Sequence, residues 1–497
     1  MLTRLKVNGF KNLVNVDLRF GPFTCVAGAN GVGKSNLFDA ITFLSALSHM
    51  SFVEAARTVR DESGQHGNAQ NLFHRSRMGS HSEMSFEAEL LISPSGIDDL
   101  GQTAEAVTTF VTYSIVLGAR DDDPGLLELR HESLDRIAVK EAAAHLLFPM
   151  SKSWLKSVVQ GRRTSPFIST EDSANDGGGR IVKLHQDGVQ GAALRRPLKT
   201  LPRTVLSSVN AAESPTALLV KRELQSWRQL QLEPSAMRRS DDFRAPHRIG
   251  VDGSHLPATL FHLARQARST SQSESTLTDA QVYGRVASRL SELIDGVRDI
   301  KVERDEKRES FTIVLRDHER REFPARDLSD GTLRFLALSI LELDTNSPGV
   351  VCFEEPENGI HPERIPSMLQ LLGDMATDPS LPVGADNPLR QVIVNTHSPV
   401  LVQQVAADSL VVAELIETPS DGQLMQSVNY GCLPSTWRSK SEPPAREVPL
   451  GKLISYLNPL PAEPVDSSAG GTSTVGRSVM ELLGPSRQLT WPWGLAK

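Results

Sequence analysis

Apolar and polar positions alternate over residues 2–7 and 14–20, and a mostly apolar run follows at 23–27, predicting three strands before the chain enters a glycine-rich turn. Beyond the turn Leu37, Ala40, Ile41, Leu44 and Leu47 recur at helical spacing, predicting a helix with one buried face. Alternation returns at 84–92, 110–117 and 126–132, separated by turn signals of which Asp121-Asp122-Asp123-Pro124-Gly125 is the clearest; a small antiparallel sheet is predicted there. From 139 to 279 the pattern is mixed and mainly helical, broken by a loop at 172–179 rich in Gly, Asp and Ser. A helix at about 280–294 and strands near 300–303 and 310–316 come next, then an apolar helix opening at Gly331 and buried strands at Val350-Val351-Cys352-Phe353 and 391–395.

Strands alternating with helices at both ends of the chain predict an α/β sheet assembled from distant segments. The expected divisions are an N-terminal lobe with a β subdomain (1–138), a mainly helical insertion (139–279), a C-terminal lobe (280–417) and an extension (418–497). Beyond 461 this extension is rich in Pro, Ser and Gly and reads as a weakly ordered tail ending in Trp491-Pro492-Trp493.

With 497 residues and 39% hydrophobic content the chain can build one large core with appendages, in two or three domains. Its three cysteines, Cys25, Cys352 and Cys432, lie far apart without ligand spacing, which supports neither a disulfide framework nor a zinc site and fits a reducing cytoplasm. The opening residues lack the continuous apolar stretch of a signal peptide, and no apolar run reaches the ~20 residues a bilayer requires. A net charge of −7 argues against a protein that coats nucleic acid over its whole surface.

Four motifs carry candidate chemistry. Gly28-Ala29-Asn30-Gly31-Val32-Gly33-Lys34-Ser35 fits the phosphate-loop pattern between a strand and a helix: its glycines let backbone N–H groups converge on phosphate oxygens, Lys34 reaches the terminal phosphates, and the Ser35 hydroxyl binds Mg²⁺. The strand at 350–353 ends in Glu354 and Glu355, at the strand end where α/β sheets place ligands; Glu354 is assigned to the metal and Glu355 to the attacking water. Leu328-Ser329-Asp330-Gly331-Thr332 places Ser329 as a helix cap, which by itself reads as structural and in company as a second phosphate-binding end. The strand at 392–394 leads through Asn395 and Thr396 to His397, placed to sense the terminal phosphate or the attacking water.

These four elements, in this order and with this separation, resemble the ABC-type heads of the RecF and SMC group. More closely they resemble the compact bacterial AAA-type ATPases related to the OLD-family nucleases. The segments that match are Gly9-Phe10-Lys11-Asn12, the loop from Gly28 to Asn36, residues 328–332, Glu354-Glu355-Pro356-Glu357-Asn358-Gly359-Ile360-His361-Pro362 and Asn395-Thr396-His397-Ser398. The resemblance implies a split phosphate-loop ATPase head that binds ATP and Mg²⁺. In this reading Asn30, Gly31, Gly33, Lys34, Ser35 and Asn36 hold the nucleotide, Lys34, Glu355 and His397 are catalytic, and Ser35 and Glu354 serve the metal. Two heads would sandwich ATP in a homodimer, with Ser329 and Gly331 acting in trans, Asn358 and His361 facing the partner and His397 as the switch. Many relatives carry Asp where Glu354 stands, and the glutamine of the γ-phosphate-sensing loop has only Gln70 as a candidate.

The insertion lacks the heptads of SMC arms, and the ~100 residues after His397 are too few for the nuclease domain of an OLD protein. The resemblance therefore implies an ATPase gating a separately encoded nuclease or toxin effector in defence against foreign DNA. The alternatives are a RecF-like repair factor that clamps DNA and a nucleotide-sensing scaffold with negligible turnover. Lys152, Lys156, Arg162, Arg163, Arg195, Arg196, Lys199, Arg238, Arg239, Arg244 and Arg248 each read as solvated surface, and as a set form a candidate DNA- or RNA-binding face in the insertion.

Overall fold

Two sheets organise the protein. The first has six strands in the order Arg228–Leu230, Gly349–Glu354, Arg390–Thr396, Phe23–Ala27, Leu410–Ser420 and Gln423–Cys432; the first five run parallel and the last returns as a hairpin. The second is an antiparallel sheet of eight strands, from Leu194–Pro197 at one edge through Arg180–Leu184, Ile168–Asp172, Leu127–Arg136, Phe110–Ala119, Glu83–Leu91 and Leu2–Asn8 to Val16–Arg19. This is a computed structural model; it describes residues 1–453 apart from 61–68, 77–78, 81, 121, 124, 162, 164, 173–178, 188–192, 270–278, 295, 345–348, 421–422, 443 and 450. Those residues belong to the unit Met1–Leu457. The aspartate-proline turn in part, most of the loop at 172–179, Arg162 and the tail beyond 461 lie outside the described residues.

Period-two alternation decides which layer each strand residue joins. Val26, Val350, Cys352 and Ile393 point to one face of the parallel sheet and share a core with the helices Lys34–Leu47 and Pro215–Ser226 and the inner face of the antiparallel sheet. Cys25, Ala27, Val351, Phe353, Val392 and Val394 point the other way, onto the helices Leu256–Ser269, Asp279–Leu293, Asp330–Leu343 and Ile365–Met375. A parallel sheet covered on both faces reads as near-continuous apolar sequence, and all seven residues of Arg390–Thr396 are buried. The expectation of one buried face on the Lys34–Leu47 helix needs enlarging: Phe38, Phe43 and Ala46 are buried as well, because the helix lies between two sheets. Phe43 meets Phe10 and Phe86 of the antiparallel layer with ring centroids 5.7 Å away in each case, so this helix and that sheet share one aromatic contact set.

The stretch 139–279, expected as a mainly helical insertion, holds both helices and strands. Three of its strands extend the antiparallel sheet, and Arg228–Leu230 forms the edge of the parallel sheet beside Gly349–Glu354. Similarly, the expected boundary at 417/418 falls inside the Leu410–Ser420 strand, whose hairpin partner completes the parallel sheet.

Candidate active site

The turn after Phe23–Ala27 needs left-handed backbone at Gly31 (φ 80°) and at Gly33 (φ 102°), which caps the Lys34–Leu47 helix. Gly33 is also held from behind: a side chain there would collide with Asn12. Asn12 Nδ2 donates to Val32 O at 3.2 Å and its Oδ1 accepts from Asn36 at 2.7 Å, so the opening Gly9-Phe10-Lys11-Asn12 segment props the loop. Lys34 Nζ lies back on its own loop, donating to Gly28 O (2.7 Å) and Ala29 O (2.9 Å). Burial pushes its pKa below the usual lysine range, against the opposing charges of Glu355 and Glu357.

The carboxylates arrive from the neighbouring strands. Glu354 ends the Gly349–Glu354 strand in register with Asn395, and its Oε1 accepts from Arg60 Nη2 (2.6 Å) and Gln229 Nε2 (2.8 Å). Glu355 sits one residue beyond the strand at φ 46°, a left-handed backbone that costs a non-glycine residue on the order of 1–3 kcal/mol. Asn395 holds it there, its O and Oδ1 both 3.1 Å from Glu355 N. The turn delivers Oε1 to His397 Nδ1 (2.6 Å) and Oε2 to Asn358 Nδ2 (2.8 Å). Burial raises the Glu355 pKa, but the hydrogen bonds from Asn358 and His397 and the charges of His397 and Lys34 outweigh it, leaving the carboxyl below its ordinary range.

Loop and carboxylates thus share a cavity of about 450 Å³, lined by Asn30, Gly31, Gly33, Lys34, Ser35 and Asn36 on one side and by Glu354, Glu355, Asn358 and Asn395 on the other. His397 stands behind Glu355. Ser329 and Gly331 do not line this cavity; Ser329 is exposed and caps the Asp330–Leu343 helix, accepting from Thr332 N at 3.2 Å. A larger cavity of about 630 Å³ lies between the Val16–Arg19 and Gln423–Cys432 strands and includes neither the lysine loop nor the paired carboxylates.

The sequence profile of the family described as "AAA domain, putative AbiEii toxin, Type IV TA system" matches residues 23–96 and 143–403, more than half of the chain. The chain belongs to this family. Short segments are similar to the DNA replication and repair protein RecF: 43% identity over 53 residues in Porphyromonas gingivalis and 35% over 63 residues in Phocaeicola vulgatus. These segments are 10% and 12% of this chain and only 15% and 17% of the relatives. Among solved structures, the SMC head bound to the C-winged helix domain of ScpA aligns at 13% identity and TM-score 0.43, over 87% of this chain and 98% of that one. The SMC head domain from Thermotoga maritima aligns at 13% and 0.34, over 86% and 97%.

Several residues of this AAA-domain protein's cleft escaped the sequence reading. Gln229, on a strand of only three residues, bonds Glu354, while Gln231, Leu232 and Glu233 just after it line the cavity. Gln70, the candidate for the phosphate-sensing glutamine, lies in the short Ala69–Leu72 helix and is not among the lining residues. Asn358 bonds Glu355 of its own chain, and His361 is exposed, its Nδ1 accepting from Glu363 N at 3.4 Å. The usable signal for the glutamines was the short Arg-Gln-Leu-Gln-Leu run between Trp227 and Pro234.

Two of the basic residues singled out above are already engaged. Arg163 bonds the carbonyls of Ser165, Pro166 and Gln186, and Arg238 bonds Leu328 O (3.0 Å) and Asp330 Oδ1 (2.5 Å). Lys152, Lys156, Arg195, Arg196, Lys199, Arg239, Arg244 and Arg248 are exposed. Among the described residues no helix is long and apolar enough to cross a membrane.

Proposed function

We propose that this protein binds ATP with Mg²⁺ in the 450 Å³ cleft and hydrolyses it. The observation that carries the reading is Glu355: an ionised carboxylate, held in strained backbone by Asn395 and oriented by His397 and Asn358, facing the lysine loop across one cavity. Backbone N–H groups of residues 30–36 and the Lys34 ammonium would hold the phosphates. The donor set suits magnesium: Ser35 and Glu354 both line the cleft and offer hard oxygens, and this ion is commonly held by one or two carboxylates plus phosphates. Bound there, Mg²⁺ neutralises phosphate charge. Glu355 orients the attacking water and takes its proton, the water oxygen bonds to the terminal phosphorus, and the bond to the bridging oxygen breaks to release ADP and phosphate.

Ser329 and Gly331, standing outside their own cleft on an exposed helix entry, support closure of a homodimer in which each chain completes its partner's site. The family description names a Type IV TA system, which supports a role in defence; we extend this reading to a cytoplasmic ATPase that gates a separate nuclease or toxin effector. The exposed basic residues favour a second reading, a RecF-like factor that clamps DNA, with salt-sensitive binding as its mark. Lys34→Ala is expected to abolish binding of a fluorescent ATP analogue and phosphate release together; turnover equal to the parent protein would refute the site.

A further inference from the structure

Arg334 also lines the nucleotide cleft, and it comes from the Asp330–Leu343 helix, whose entry residues were expected to act only across a dimer. The residue is 8% exposed, its Nε is buried with no hydrogen-bond partner, and its guanidinium forms neither hydrogen bond nor ion pair among the described residues. The other charged groups of the cleft are satisfied: Lys34 by loop carbonyls, Glu354 by Arg60 and Gln229, Glu355 by His397 and Asn358, Glu233 by Gln231. A buried guanidinium without an acceptor is costly, and five donors in a planar fork suit a phosphate.

Its place in the cleft is specific. A methyl group at Gly359 would fall 4.0 Å from Arg334 Nε and 3.4 Å from Asp330 Cβ, so the loop after Glu355 packs directly on the first turns of this helix. Glu233, Asp330 and Glu357 are the opposing charges around Arg334, in that order of influence, and Glu357 also acts on Lys34, so the guanidinium and the lysine share one carboxylate neighbour. Arg238, bonded to Leu328 O and Asp330, fixes the helix entry, so Ser329 and Arg334 are parts of one held segment.

We propose that Arg334 is a cis ligand for the terminal phosphate of the nucleotide, so that the helix presenting Ser329 to a partner also senses whether its own cleft holds a triphosphate or a diphosphate. This rests on the ATP reading above. The test is equilibrium binding of a non-hydrolysable ATP analogue and of ADP to the full chain, for the parent protein, Arg334→Met, Arg334→Lys and Lys34→Ala. Arg334→Met is expected to lose about ten- to a hundredfold in affinity for the triphosphate analogue, one charge-assisted contact, while ADP binding stays close to the parent. Arg334→Lys, which keeps the charge without the fork, should fall between.

Lys34→Ala should lose both nucleotides; if it binds both normally, the ATP site itself is wrong. If Lys34→Ala fails to bind while Arg334→Met keeps the parent's preference for triphosphate, Arg334 is structural and this proposal falls alone. Should thermal melting show Arg334→Met to be unfolded, Arg334→Lys decides, because an unchanged triphosphate preference there overturns the proposal.

Discussion

Glu132 and Glu355 are carboxylates on different sheets, and their surroundings drive them in opposite directions. Glu132, in the middle of the antiparallel sheet, is fully buried and accepts from Val205 N (2.7 Å), Leu206 N (2.9 Å) and Tyr113 Oη (3.1 Å). Burial pushes its pKa up to about 7 in spite of those three bonds. Glu355, at the end of a parallel strand, meets solvent, a histidine and a lysine, and is held down. A perturbed carboxyl therefore does not by itself mark a site. Glu132 pins the 204–208 segment to the sheet, whereas Glu355 faces a cleft with the Lys34 loop on its far wall.

The largest expected effect separates the two by what each change damages. Glu355→Gln should lower phosphate release by about 10²- to 10⁴-fold, the range for losing a positioned general base, with little change in melting temperature. It should also accumulate nucleotide-bound dimers, seen as an ATP-dependent shift in sizing. Robust turnover by the glutamine variant would remove Glu355 from the chemistry and leave it, like Glu132, a structural group.

For Glu132 the expected signature lies in stability. Its folded pKa is raised above the ordinary carboxylate value, so the native state keeps its proton while the unfolded chain loses one. Stability is full below about pH 4.5 and falls as pH rises toward about 7, by a few kcal/mol at most, since each unit is worth about 1.4 kcal/mol. Glu132→Gln, neutral at every pH, should flatten this part of the curve in denaturant titrations at pH 5 and pH 7.5. A curve of unchanged slope would mean another group controls it. Phosphate release per folded molecule should stay at the parent level.

What the sequence disclosed followed the range of the interactions. Local signals were readable: the glycine turn before Lys34, the Ser329 cap, and the alternation that set the strands at 2–8, 83–91 and 110–119. Sheet pairing between distant segments was not. A strand as short as Arg228–Leu230 has no periodicity to read, so Gln229 became visible only through its parallel pairing with Gly349–Glu354. Arg334 is a single charged residue within an apolar helix, with nothing in its spacing to single it out, and only the packing of Gly359 against that helix shows which way it lies. Within the expected mainly helical insertion at 139–279, three strands were unreadable for the same reason, since they have meaning only as additions to a sheet begun at residue 2.

The smallest expected effect tests how Glu354, the other carboxylate of the strand end, is kept ready. Its Oε1 accepts from Arg60, a side chain 45% exposed, on the carboxylate proposed to serve the metal. Arg60 is also 3.8 Å from Asp39, to which Lys11 Nζ is bonded at 2.6 Å, so it has an alternative carboxylate within reach when it leaves Glu354. An exposed ion pair contributes only ~0.2–1 kcal/mol. Arg60→Ala should therefore shift the Mg²⁺ dependence of nucleotide binding to lower concentration by no more than about fivefold, with the plateau unchanged. A requirement for more Mg²⁺ in the variant would instead make Arg60 a contributor to nucleotide binding, because removing a mere competitor cannot weaken the metal.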